Sequence, residues 1–167
     1  MGKAEEIKDY VKEAFEKIFG VSFPNDVKVS VLKEKDFRKI SSSPGVLGLS
    51  INRKRQGWVS EIFVLEGTLG RVMLTLGHEL GHVLTESLNN RHDEEAKAYA
   101  FSLEWMRVIK ENNIGDLGEA IVLDKPAKNG LHNVAFNFVR GLIDSGKRAW
   151  EIYLGLIRRK YSVSMSG

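Results

Sequence analysis

The segment Leu69–Leu88 constrains this chain more than any other. At about 100° per residue, Leu69, Val72, Met73, Leu76, Leu80, Val83 and Leu84 fall on one stripe of a helix, and Thr68 stands where an N-cap belongs. A stripe of that kind has to be buried against other elements. The opposite side carries Arg71, Thr75, His78, His82 and Thr85. Residues 78–82 read His-Glu-Leu-Gly-His, so two histidines one turn apart share a face turned away from the core side. Their Cβ atoms are then about 5–6 Å apart. Both imidazoles can reach one zinc ion with bonds of about 2.0–2.1 Å. Glu79, beside the first, can take a proton from metal-bound water and pass it to a leaving amine.

A catalytic zinc usually has three protein ligands, leaving a fourth position for water. The metzincin solution needs a further His shortly after the second. Thr85 and Leu88 occupy the relevant positions, which excludes that class. The remaining candidates are His92, Asp93, Glu94 and Glu95, at the start of a second helical segment, Asp93–Lys110. Taking Glu95 as the reference direction, Ala98, Tyr99, Ser102, Trp105, Met106 and Ile109 lie within about a quarter turn. Lys97, Glu104, Arg107 and Glu111 lie opposite, as a charged face. Glu95 thus sits in the middle of an apolar stripe, where a carboxylate is costly unless paired or bound to metal. Glu94 is at the stripe's edge and Asp93 points to the charged side. A tight turn at Asn89–Arg91 would fold this helix back along the first and bring Glu95 near His82. Glu95 is the expected third ligand, with His92 and Glu94 as the alternatives.

Around this pair the pattern is mixed. Ile7–Phe19 reads as an amphipathic helix ended by Gly20. Val27–Leu32, Val46–Ile51 and Trp58–Leu65 read as strands, the last two joined through Asn52–Gly57 as a hairpin. A loop-rich stretch, Asn112–Asn129, includes a short candidate strand at Ala120–Leu123. Helices follow around Asn133–Ile143 and Lys147–Lys160. At 167 residues the chain suits one domain, and with no cysteine it has no thiolate metal site, disulfide or cysteine nucleophile. No apolar run approaches the roughly 18 residues of a membrane span, and the charged N-terminus does not read as a signal peptide. The expected location is therefore cytoplasmic. The net charge of +3 comes without long like-charge blocks. Arg53-Lys54-Arg55 and Arg158-Arg159-Lys160 read as a solvated turn and a helix C-terminus rather than nucleic-acid contacts.

His78-Glu79-Leu80-Gly81-His82, with Glu95-Ala96-Lys97-Ala98-Tyr99-Ala100, resembles the ImmA/IrrE family of gluzincin-type metallopeptidases. The second stretch is similar to that family's Glu-Ala-x-x-Phe-Ala signature, with Tyr99 for the Phe. The single-domain minigluzincins are similar too. The resemblance covers roughly residues 1–110, and strand Glu61–Leu65 ahead of the helix fits the family's order. It implies an α+β, zincin-like fold: a small, mostly antiparallel sheet, an active-site helix, and additional C-terminal helices. Residues 1–110 would be the catalytic core and 111–167 a helical extension of one domain. It also implies one Zn2+ per chain on His78, His82 and Glu95, Glu79 as general base, and a protein or peptide substrate. A zinc-binding regulatory protein without turnover is the alternative. Glu79 favours the enzyme, because a purely structural metal site has no need of it.

Two further expectations concern the cleft. The strand Trp58–Leu65 would edge it and pair with an extended substrate. His132, Tyr99, Arg140 or Tyr153 would supply the donor that a developing oxyanion needs. The last helix has a broad apolar face at Ala149, Trp150, Ile152, Tyr153, Leu156 and Ile157, suited either to ordinary packing or to a lid over the cleft.

Overall fold

The structure, a computed structural model, describes residues 4–121 and 130–163, with side chains for 5–121 and 134–163. Among these residues the chain is α+β, with six α-helices and a three-stranded mixed sheet. Helix α1 (Ala4–Phe19) buries Ile7, Val11, Ala14 and Phe15, and the chain leaves it through Gly20 at φ +70°. Strands β1 (Val27–Leu32), β2 (Gly48–Ile51) and β3 (Ser60–Leu65) lie in the order β1-β3-β2. β1 runs parallel to β3, with Val27 opposite Ser60; β2 runs antiparallel, with Gly48 opposite Val64. The expected mostly antiparallel sheet is therefore half parallel. A parallel pair needs a crossover, and here α2 (Glu34–Ile40) and β2 intervene between β1 and β3. α2 was not visible in the sequence because only Phe37 of its seven residues is buried, which leaves no stripe to read.

Helix α3 (Leu69–Val83) begins where expected, with the Thr68 hydroxyl accepting from the Arg71 N–H at 3.3 Å. Val72, Met73, Leu76, Leu80 and Val83 are fully buried. It stops at Val83 rather than Leu88, and side chains satisfy carbonyls at and just beyond its end. The Asn52 amide donates to the carbonyls of His82 and Thr85, both at 2.7 Å, and the Lys97 ammonium reaches those of His82 and Glu86. Asn90 then caps α4 (Arg91–Glu111), accepting from the N–H groups of His92 and Asp93.

α4 is the centre of the molecule and packs against α1, α3, α5 (Gly130–Asp144) and α6 (Ala149–Ile157). That arrangement corrects the expected charged face. Lys97 is completely buried and Glu104 nearly so, while Arg107 and Glu111 remain exposed. A helix surrounded on most sides leaves mainly its ends to solvent, so the charges of its enclosed stretch do not report exposure. α6 is a wall rather than a lid, since Ile152, Tyr153 and Leu156 are buried in the main core. Of the candidate strand Ala120–Leu123, residues 120–121 are not in a strand and 122–123 lie outside the described residues. No helix among the described residues is long and apolar enough to cross a membrane.

Candidate metal centre

The two helices carrying the motif approach closely because of glycine. A Cβ on Gly81 would lie 2.7 Å from Ala98 Cα and 2.9 Å from its carbonyl oxygen. A Cβ on Gly77 would run into the Trp105 indole, whose Nε1 donates to the Met73 carbonyl at 3.0 Å. Gly81 adjoins His82, and Glu95 stands one turn before Ala98. This backbone contact is what puts the carboxylate against the imidazoles.

The result is a compact donor set. Ligand atoms of His78, His82 and Glu95 all lie within 4.8 Å of one another. His78 Nε2 is 3.3 Å from Glu95 Oε2, and His82 Nε2 is 3.4 Å from Glu95 Oε1. Zinc bonds of about 2.0–2.1 Å at tetrahedral angles place neighbouring ligand atoms about 3.3 Å apart, which is the spacing of each imidazole from the Glu95 carboxylate, so these three residues form a group that can hold a metal ion. Their side chains are 15–19% exposed, sheltered yet reachable from solvent.

Glu94 has a separate task. Its Oε2 lies 2.7 Å from His82 Nδ1, and its Oε1 accepts from the Leu88 N–H at 2.8 Å and meets Lys97 Nζ at 2.9 Å. A carboxylate on Nδ1 fixes the ring and its tautomer and directs Nε2 toward the metal position. Glu94 is thus engaged on Nδ1 and lies outside the His78, His82 and Glu95 group. In the metal-free chain, burial disfavours charge on His82. The hydrogen bonds from Glu94 and Glu95, with the negative charges of Glu79 and Glu95, outweigh it and hold its pKa at about 9. His92, the other alternative, is outside the donor set.

Lys97 underlies this arrangement. Burial lowers its pKa, against the pull of the Glu94 carboxylate. Its ammonium bridges Glu94 to Thr85 Oγ1 at 3.0 Å and to the carbonyls of His82 and Glu86, each at 3.3 Å. Four oxygens compensate a charge that burial would otherwise make very costly. Sequence reasoning missed this role, although Lys97 follows Glu94 by three residues and therefore shares its face. It missed Asn52 as well, and nothing in the sequence marks a loop residue as the clamp on a distant helix.

Glu79 lies on the other side of the histidines, under β2. A Cβ at Gly48 would be 2.5 Å from Thr75 Cγ2 and 3.2 Å from Glu79 Cγ, so Gly48 lets the strand lie directly over the helix. This corrects the expected cleft edge. β3 is the central strand, occupied on both sides by β1 and β2. The strand beside Glu79 is β2. Its Leu47 carbonyl bonds the Leu65 N–H and Leu49 lies opposite Phe63, so by alternation Gly48 and Ser50 turn their backbone groups to the unpaired edge.

The four candidate oxyanion donors separate. The Tyr99 ring stands edge-on to His78 with centroids 5.2 Å apart. Tyr153 is buried behind the site. Burial and then the Glu94 charge push its phenol pKa up, against a hydrogen bond with Thr85. Arg140 pairs loosely with Asp144 at 3.9 Å and lines a cleft with Glu104 and Arg107, well along α4 from Glu95. His132 lies on α5, with its side chain outside those described. In the basic turn, Arg53, Lys54 and Arg55 pair with Glu61, Asp26 and Glu86, so its charge is largely compensated locally. Comparisons with protein-family models, curated proteins and solved structures gave no match.

Proposed function

We propose that this chain is a zinc-dependent peptidase with a zincin-like, gluzincin-type site. The observation that carries the proposal is the spacing of His78 Nε2, His82 Nε2 and the Glu95 carboxylate, with Glu79 one residue from the first ligand and outside the donor set. His78, His82 and Glu95 would hold the ion, and its chemistry there is to acidify water and polarise a carbonyl. Glu79 takes the proton from the attacking water and delivers it to the leaving amine. Glu94 and Lys97 keep His82 in register through both transfers. The open edge of β2 at Gly48 and Ser50 binds the substrate as an added antiparallel or parallel strand beside Glu79. Tyr99, whose ring stands edge-on to His78, would donate to the oxyanion.

The test compares zinc content and cleavage of a fluorogenic peptide library in the wild type, Glu79→Gln and Glu95→Ala. The wild type should bind one zinc per chain and cleave. Glu79→Gln should keep the zinc and lose cleavage, and Glu95→Ala should lose both. Undiminished cleavage by Glu79→Gln would refute the mechanism. Zinc binding without cleavage in the wild type would favour a regulatory zinc protein.

A further inference from the structure

The other edge of the sheet carries a feature that the metal centre does not use. β1 pairs with β3 on one side only. In a parallel ladder alternate residues bond to the partner strand. The Ser60 N–H bonds the Asp26 carbonyl and the Glu66 N–H bonds that of Leu32, each at 2.8 Å. Even-numbered residues of β1 therefore serve β3, and Val27, Val29 and Val31 turn their N–H and C=O groups outward. Val29 and Val31, opposite Ile62 and Val64, lie on the core side of the sheet yet are only half-buried. Ile7 and Val11 of α1 stand across from them. Between them lies a groove of about 340 Å³, floored by Ile7, Val11 and Phe23 with the valines. Every charged residue lining it is a lysine: Lys8, Lys12 and Lys28. All three are exposed, and none forms an ion pair among the described residues.

We propose that the open edge of β1 and this lysine-rimmed groove bind an extended, acidic segment of a partner protein by strand addition. The unpaired backbone groups supply the hydrogen bonds. The apolar floor takes every second side chain of the guest; by alternation its Asp or Glu side chains share the face of Lys28, and Lys8 and Lys12 on the rim add to the positive field. The same charges argue against a second copy of this chain. An unpaired, valine-rich edge invites self-pairing unless charge opposes it, and two β1 edges would bring two lysine rims together. The groove lies at the opposite edge of the sheet from β2, so the proposal does not rest on the peptidase reading.

The probe is a blocked nine-residue peptide alternating Val with Asp and Glu, titrated into the full chain and followed by backbone amide NMR. Saturable shifts are expected at Val27, Val29 and Val31. Binding should weaken at least tenfold in Lys8→Glu/Lys12→Glu/Lys28→Glu, and should weaken as salt rises. The same peptide N-methylated at alternate residues should not bind, which tests backbone pairing without altering the protein. Glu95→Ala and Glu79→Gln should bind the probe as the wild type does. Absence of binding at millimolar peptide would overturn the proposal, as would equal binding of the N-methylated peptide or of a Val/Lys peptide. Concentration-dependent dimerisation with the same amides perturbed would assign the edge to a second copy instead.

Discussion

Gly81→Ala tests the idea that one backbone contact builds the metal centre. In a helix interior the change should gain up to about 1 kcal/mol from propensity alone. Here the new methyl would stand 2.7 Å from Ala98 Cα and 2.9 Å from its oxygen. Those atoms are backbone and cannot rotate away. Restoring ordinary contact requires α3 and α4 to separate by about 0.7 Å at this point. Overpacking of this kind costs about 1–3 kcal/mol, so the net loss of stability is about 0–3 kcal/mol and the chain still folds. The site has less tolerance, because metal–ligand distances hold to about 0.2 Å. Glu95 moves with Ala98, and the histidines move with Gly81. Zinc affinity should fall at least tenfold, or about 1.4 kcal/mol, measured by competition with a chromophoric chelator beside urea unfolding of the same sample. Gly70→Ala is the control within α3, since its methyl meets only Leu117 Cδ2 at 3.7 Å, and its zinc affinity should equal the wild type's. A folded Gly81→Ala chain binding zinc within a factor of two of wild type would show that the helix contact does not set the ligand geometry.

Lys97→Met removes the cation from a buried network and leaves Glu94 under-compensated, so urea unfolding should show a loss of about 3–5 kcal/mol. Adding Glu94→Gln to that variant should recover part of the loss, and strict additivity in this double-mutant cycle would contradict the coupling. Glu94→Gln alone should cost about 10–100-fold in zinc affinity, because the His82 ring loses its orienting carboxylate. The pH dependence has a definite sign. His82 in the metal-free chain has a pKa raised from 6.5 to about 9, so its stabilising contribution is complete below pH 6.5 and disappears as pH rises through 9. Zinc needs the neutral ring. Zinc affinity should therefore climb with pH toward 9 while metal-free stability declines over the same window, and a flat affinity profile from pH 7 to 9 would remove His82 from the ligand set.

What the sequence revealed and what it concealed have one physical origin. The stripe of α3 was legible because that helix has a core side and a working side, and Leu76, Leu80 and Val83 repeat at the helical period while His78 and His82 stand off it. Glu95 was legible for a related reason, as a carboxylate among apolar neighbours. Lys97 broke the same rule unnoticed. Its position was assigned from the charge of its neighbours on the helical wheel, which holds only for a helix with a solvent side, and α4 is enclosed by four others. The sheet order was beyond reach for another reason. Periodicity reports which face of a strand is buried, not which edge is paired, so nothing in the pattern of Trp58–Leu65 opposed placing it at the cleft edge. The pairing resolves it, and with β3 in the centre the molecule has two open edges with different chemistry. β2 presents the backbone of Gly48 and Ser50, with Gly48 lying over Thr75 and Glu79. β1 presents three valines under a rim of lysines. A guest strand on β2 would face the proposed catalytic groups, whereas one on β1 would be held at the opposite edge of the sheet, so the two readings stand or fall separately.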